Sequence, residues 1–140
     1  MPGGFRELDN ITADLGIEAW GPDIEGAFAN TVQGLASLLS DLPDKDQPLT
    51  RTIQIEGESL PSLLVRFLNE IIFLEETEGF LPGRVSDLAI SGNTLKAVLS
   101  GATFDPEIHT MNAQVKAATY HGLEIDQTGQ KVTIRVIFDV

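Results

Sequence analysis

Residues 17–38 read IEAWGPDIEGAFANTVQGLASL and residues 53–74 read IQIEGESLPSLLVRFLNEIIFL. Each begins with apolar residues at every second position, the period of a strand with one buried face. Each then switches to the spacing of an amphipathic helix. The switch falls at a glycine both times. Laid on each other without gaps, Gly21 meets Gly57, Ile24 meets Leu60, Phe28 meets Leu64 and Val32 meets Leu68. The match fits an internal duplication, and equally the pattern that any two strand–helix units share. Two such units in one half of the chain call for a mixed fold.

Working outward, Ile11, Ala13, Leu15, Ile17 and Ala19 alternate with Thr12, Asp14, Gly16, Glu18 and Trp20, which predicts a strand already under way at Ile11. Pro22 suits the first turn of a helix, and Asp23 and Glu25 put negative charge at its positive end. That helix is expected over residues 22–42. The run DLPDKDQP is a loop, and residues 50–56 alternate again as a short strand. Ser59 caps a second helix that tolerates Pro61 in its first turn and stops at Gly79. Its stripe of Leu60, Leu63, Leu64, Phe67, Leu68, Ile71 and Ile72 is widened by Phe73 and Leu74, marking it as the more buried helix.

Past Gly83 the pattern is strand throughout. Residues 85–91 and 94–100 flank Gly92-Asn93, a hairpin signal. FDPEIHTMN is a loop, residues 115–126 read as one long strand, and residues 131–139 as a closing strand. The expectation is a single domain over residues 1–140, of α+β class, with about six mostly antiparallel strands packed against two helices.

Composition excludes several functions. A chain of 140 residues buries roughly 70% of its unfolded surface, enough for a core without staples. It has no cysteine, so disulfides, thiol catalysis and cysteine-ligated metals are out. No apolar run reaches the roughly 18 residues of a membrane span, and no basic-then-apolar leader opens the sequence. A cytoplasmic, membrane-free protein is expected. The formal net charge of −12 repels phosphate backbones, and no window supplies a basic patch, so direct nucleic-acid binding is not expected. Such a surface suits cations or basic protein surfaces, or simply confers solubility.

Generic motifs name no catalyst. There is no glycine-rich phosphate loop, GxSxG elbow or HExxH. His109 is expected to be solvated in its loop, and His121 to lie in phase with Val115, Ala117, Leu123 and Ile125 on a core face as a structural group. Lys116, Ala118 and Tyr120 fall on the other face, where a lysine is either an ordinary surface group or a cation aimed at a carboxylate or phosphate. Asp14 sits where aspartate is disfavoured, at an edge, at a bulge or as a ligand. Asp139 is next to last, and Val140 carries a terminal carboxylate. If Asp14, Asp139 and that carboxylate meet at about 4 Å, each pair repels by roughly 4 kcal/mol at an effective dielectric near 20. Such a cluster takes up protons or a hard cation such as Ca²⁺ or Mg²⁺.

Three stretches say more: TADLGIEAWG near the start, KAATYHGLEI within, and VIFDV at the end. In this order, together with FLNEIIFLEETEG, they resemble the archease family over essentially the whole chain. The resemblance implies an archease-like fold and an accessory, chaperone-like protein, not itself an enzyme. Such a protein serves the RtcB-type RNA ligase of tRNA splicing and promotes its guanylylation and multiple turnover. It further implies a divalent cation, Ca²⁺ first with Mg²⁺ or Mn²⁺ as alternatives, held by Asp14, Asp139 and Val140, and a ligase-activating Lys116. Tyr120 and His121 share the motif, but no role is carried over to them. Many archeases have histidine before TAD, where this chain has Asn10-Ile11, so no histidine is expected at that edge of the site. Two rivals differ in class. One is a general chaperone-like modulator of RNA-modifying enzymes, such as a tRNA methyltransferase, with a structural metal. The other is a metal-dependent hydrolase using His121.

Overall fold

A computed structural model describes residues 3–9, 14–43 and 46–140. The chain forms β1 (Gly4–Glu7), β2 (Leu15–Gly21), α1 (Ile24–Leu39), β3 (Leu49–Glu56), α2 (Leu60–Glu78), β4 (Phe80–Ser91), β5 (Thr94–Thr103), β6 (Ala117–Ala118), β7 (Glu124–Asp126) and β8 (Val132–Asp139). The class is α+β as the periodicities require. Eight strands rather than about six are found among the described residues, because β1 (Gly4–Glu7) precedes the expected first strand and the expected long 115–126 strand is split into β6 and β7. Residues 10–13, including the Asn10-Ile11 departure and the start of the expected first strand, lie outside the described residues.

The strands make two sheets, with every neighbouring pair antiparallel. One runs β1-β2-β8-β6 with β7 also against β8, and the other runs β3-β5-β4. Thus β2 and β8, near the two ends of the chain, lie side by side from Leu15↔Phe138 to Gly21↔Val132. Their inward residues Ile17, Ala19, Val132, Ile134, Val136 and Phe138 join Phe28, Leu35, Leu64, Phe67 and Leu68 of the helices in one core. The outward positions carry charge: Arg6 faces Glu18, Glu18 faces Arg135 and Arg135 faces Glu124, alternating in sign across four strands. Arg6 and Glu18 close to 3.1 Å, an exposed pair of the kind that contributes at most about 1 kcal/mol.

The two strand–helix units begin alike. Asp23 caps α1 by accepting from the Gly26 amide at 2.7 Å, and Ser59 caps α2 by accepting from the Ser62 amide at 3.2 Å. Gly21 and Gly57 are required by close approach. A Cβ on Gly21 would come within 2.7 Å of the Ala27 nitrogen and the Gly26 carbonyl carbon, and one on Gly57 within 2.9 Å of Ser62 Oγ and 3.0 Å of the Leu63 nitrogen. The bare backbone lets each strand pass under the first turn of its own helix.

The helices end differently. α1 stops at Ser40 in extended conformation, and α2 at Gly79 with φ 68°, the left-handed stop expected there. Phe73 departs from expectation: it is 55% exposed, on the outer side of α2. Gly92, at φ 58°, turns the β4–β5 hairpin at Gly92-Asn93 as the sequence predicts. Before β8, the Asp126 carboxylate accepts from the Thr128 hydroxyl at 2.7 Å and its amide at 2.9 Å. Those bonds hold the Asp126 carboxyl below its ordinary range.

Candidate functional site

The last residues of β8 lie between two elements distant in sequence. On one side the register ends with Leu15 against Phe138. Continued by one residue, it sets Asp14, at the bend before β2, beside Asp139. On the other side Ala117 pairs with Asp139 and Ala118 with Phe138, while the Lys116 amide donates to the Asp139 carbonyl at 2.8 Å. Alternation along β8 buries Val136 and Phe138 and turns Asp139 outward. Asp14, Lys116 and Asp139 therefore gather at one end of the five-stranded sheet, with Val140 next along the chain. Lys116, Asp139 and Val140 are exposed and Asp14 is half-buried.

Among the described residues no three His, Asp or Glu side chains are grouped as a metal site. The set at this corner is smaller, the carboxylates of Asp14 and Asp139. All its donors are hard oxygens, which fit Ca²⁺ or Mg²⁺ better than a soft metal.

A residue that sequence reading passed over holds the corner together. β6 is an edge strand, and the Asn69 side chain of α2 closes its open side. Asn69 Oδ1 accepts from the Ala118 amide at 2.7 Å, and its amide nitrogen donates to the Ala118 carbonyl at 3.4 Å. This pair of bonds does for Ala118 what a further strand would do, and so fixes the segment that carries Lys116. The available signal was an asparagine, a poor helix former, beside the apolar stripe of α2.

Both histidines differ from expectation. His121 is exposed, in the turn Tyr120-His121-Gly122 that separates β6 from β7, with Gly122 at φ 66°. The alternation expected through residues 115–126 is broken there, so Ala118 is buried and Tyr120 is 57% exposed. His109 is only 8% exposed. Its Nδ1 accepts from the Asp105 amide at 2.9 Å, and its Nε2 lies 3.5 Å from Asp46 Oδ2. The ring is drawn in because it closes the Asp105–His109 turn and lies beside Phe104.

Comparison with known proteins places the fold in a family. Residues 5–140 match the model of the Archease protein family (MTH1598/TM1083). The protein archease of Thermococcus kodakarensis is 33% identical over 119 residues, covering 83% of this chain and 84% of that one. The solution structure of Methanobacterium thermoautotrophicum protein 1598 superposes with a TM-score of 0.79 at 28% identity, over 98% of this chain and 99% of that one. An archease from Thermotoga maritima, described as a possible chaperone, shares the fold with a TM-score of 0.65 at 22% identity, over 96% and 97% of the two chains. The chain belongs to the archease family.

Proposed function

We propose that this protein is a non-enzymatic accessory factor of an RtcB-type RNA ligase, promoting ligase guanylylation and multiple turnover from the corner formed by Asp14, Lys116, Asp139 and Val140. One observation supports the reading above others: the start of β2, the end of β8 and the Lys116 segment converge. That convergence supports reading Asp14, Lys116 and Asp139, to which the family resemblance assigns function, as one site.

Asp14, Asp139 and the Val140 carboxylate would hold a divalent cation, Ca²⁺ or else Mg²⁺ or Mn²⁺. When bound, the ion offers open coordination positions to phosphate oxygens. The carboxylates supply the charge that retains it. Lys116 offsets their repulsion or meets a triphosphate oxygen, and Asn69 keeps its strand in place. The effect on the ligase is one of orientation and electrostatics at the entrance to its active site. The chain itself moves no covalent bond. Its acidity suits a ligase whose surface must be basic to hold RNA. Among the described residues no helix is long and apolar enough to cross a membrane, and a cytoplasmic role beside the ligase is part of the proposal.

The test is a guanylylation assay of the cognate ligase with GTP, with and without this protein. Stimulation by the wild-type chain, lost in folded Asp14→Ala, Asp139→Ala and Lys116→Ala variants, is the expected result. A residue added after Val140 should also weaken stimulation. Ligase that charges equally fast in every case overturns the proposal. The description of the Thermotoga relative as a possible chaperone favours one second reading, a chaperone-like role, which would here be that of a general modulator of RNA-modifying enzymes with a structural metal. In that case the aspartate variants would still protect a client enzyme from aggregation.

A further inference from the structure

A separate opening in the surface lies between the C-terminal end of α2 and the segment that leaves β5. It is a cavity of about 680 Å³ whose walls include Leu81, Phe104, Met111 and Ala113, with Glu75 and Glu76 among the groups facing it. Met111 is 37% exposed, and Ile108 on the same segment is 67% exposed. Among the described residues no lysine or arginine lines the groove. Among the described residues Glu75 and Glu76 make no ion pair, whereas Glu78 is engaged by Arg51 at 3.3 Å. The last turn of α2 carries no basic side chain, so the negative end of the helix dipole adds to the acidic field. Burial, and then the charge on Glu76, push the Glu75 carboxyl above its ordinary range, so it stands where positive charge is wanted.

We propose that this groove docks a basic segment of a partner protein, a run of lysine or arginine bearing one aliphatic or aromatic side chain. The apolar anchor sits on Phe104, Met111 and Ala113, and the flanking cations meet Glu75, Glu76 and the carbonyls that end α2. Charge chooses the occupant. A second copy of this chain brings another net charge of −12, and an anionic lipid surface is repelled in the same way. Anchor and charge together are what a specific interface needs, the apolar contact for residence and the charges for encounter. Gln114 borders the groove two residues before Lys116. A partner held there is therefore tethered beside the carboxylate corner. The proposal rests on the accessory reading, which supplies the partner.

The experiment measures affinity of the full chain for the cognate RtcB-type ligase by calorimetry, alongside ligase guanylylation. A Glu75→Lys/Glu76→Lys double variant and, separately, Met111→Glu should each raise Kd at least about tenfold, a loss of roughly 1.4 kcal/mol. Added ligase should restore stimulation. A Glu56→Lys/Asp87→Lys variant makes the same change in net charge on the exposed three-stranded sheet and should stay within about twofold of wild type. Equal loss in both double variants means that only overall charge matters and overturns the groove. So does unchanged affinity in the groove variants. Loss of self-association in Met111→Glu, with ligase affinity intact, assigns the groove to a second copy and overturns the proposal while the accessory function stands. Wild-type protein that neither binds nor stimulates the ligase overturns both.

Discussion

The two strand–helix units enter their helices the same way and leave them in opposite ways. At the entry, glycine, cap and a fully buried core residue match position for position: Gly21 with Gly57, Asp23 with Ser59, Phe28 with Leu64. At the exit, α1 is stitched into the fold. The Asn112 amide donates to the Leu39 carbonyl at 2.9 Å, the Ala113 amide to Leu38 at 3.0 Å, and Asp41 donates back to Thr110 at 3.3 Å. α2 instead turns out through left-handed Gly79 beside an acidic groove. The entry of a helix answers to local chemistry that repeats with the sequence. The exit answers to whatever the rest of the chain brings against it.

That comparison can be broken most severely in the core. Phe28→Ala should cost about 3–5 kcal/mol and Leu64→Ala about 2–5 kcal/mol, since both side chains are fully buried in one cluster. Denaturant unfolding should stay a single transition in both variants. Two separated transitions would mean that the units fold independently. Next come the glycines. Gly21→Ala should cost about 1–3 kcal/mol, because the new methyl meets backbone on Gly26 and Ala27. Gly57→Ala should cost less, and part of the loss should return in a Ser62→Ala background, because its closest contact is a hydroxyl that can be removed. Equal and unrescued losses would show that backbone contact limits both crossings alike and that the Ser62 hydroxyl is not the obstacle at Gly57.

The caps come third. Asp23→Ala and Ser59→Ala should each cost about 1 kcal/mol by thermal unfolding, with Asp23 the larger because its bond is short and charge-assisted. The smallest effect concerns the exit of α2. The Glu75 carboxyl holds its proton to higher pH folded than unfolded. In the window between those two values the native state binds more protons, so stability falls as pH rises through it, and the cost is complete above the folded value. Glu75→Gln should therefore be slightly more stable than wild type at neutral pH, with the difference vanishing in acid below the unfolded value. An advantage that grows in acid would reverse the assignment.

Much of this was legible in the chain. Period-two and helical runs located both helices, the Ser59 and Gly79 caps of α2 and the Gly92-Asn93 hairpin, because each is decided by neighbours in sequence; α1 starts at Ile24 rather than Pro22, with Asp23 as its cap. The family resemblance drew Asp14, Lys116 and Asp139 together; the registers bring the Lys116 segment against Asp139 and reach Asp14 by one residue beyond the Leu15↔Phe138 pair. The failures share a cause. Val115 to Asp126 alternates well enough for one strand, yet β8 offers β6 and β7 two separate stretches of edge and the chain turns between them at Gly122. His109 reads as a loop residue, and it is buried by a turn whose partners, Asp46 and Phe104, are chosen by tertiary packing. Phe73 extends the stripe of α2 in sequence but falls on the side that no other element covers.

An unfinished sheet margin offers its free amide and carbonyl groups to any extended chain that drifts past. At β6 that invitation is withdrawn, because the Asn69 carboxamide occupies both groups of Ala118 from the flank of a helix. Replacing it with leucine would leave a short adhesive margin next to the residues on which the proposed activity depends. The cost would then be read as fibre growth or strand exchange as well as lost stimulation of the ligase.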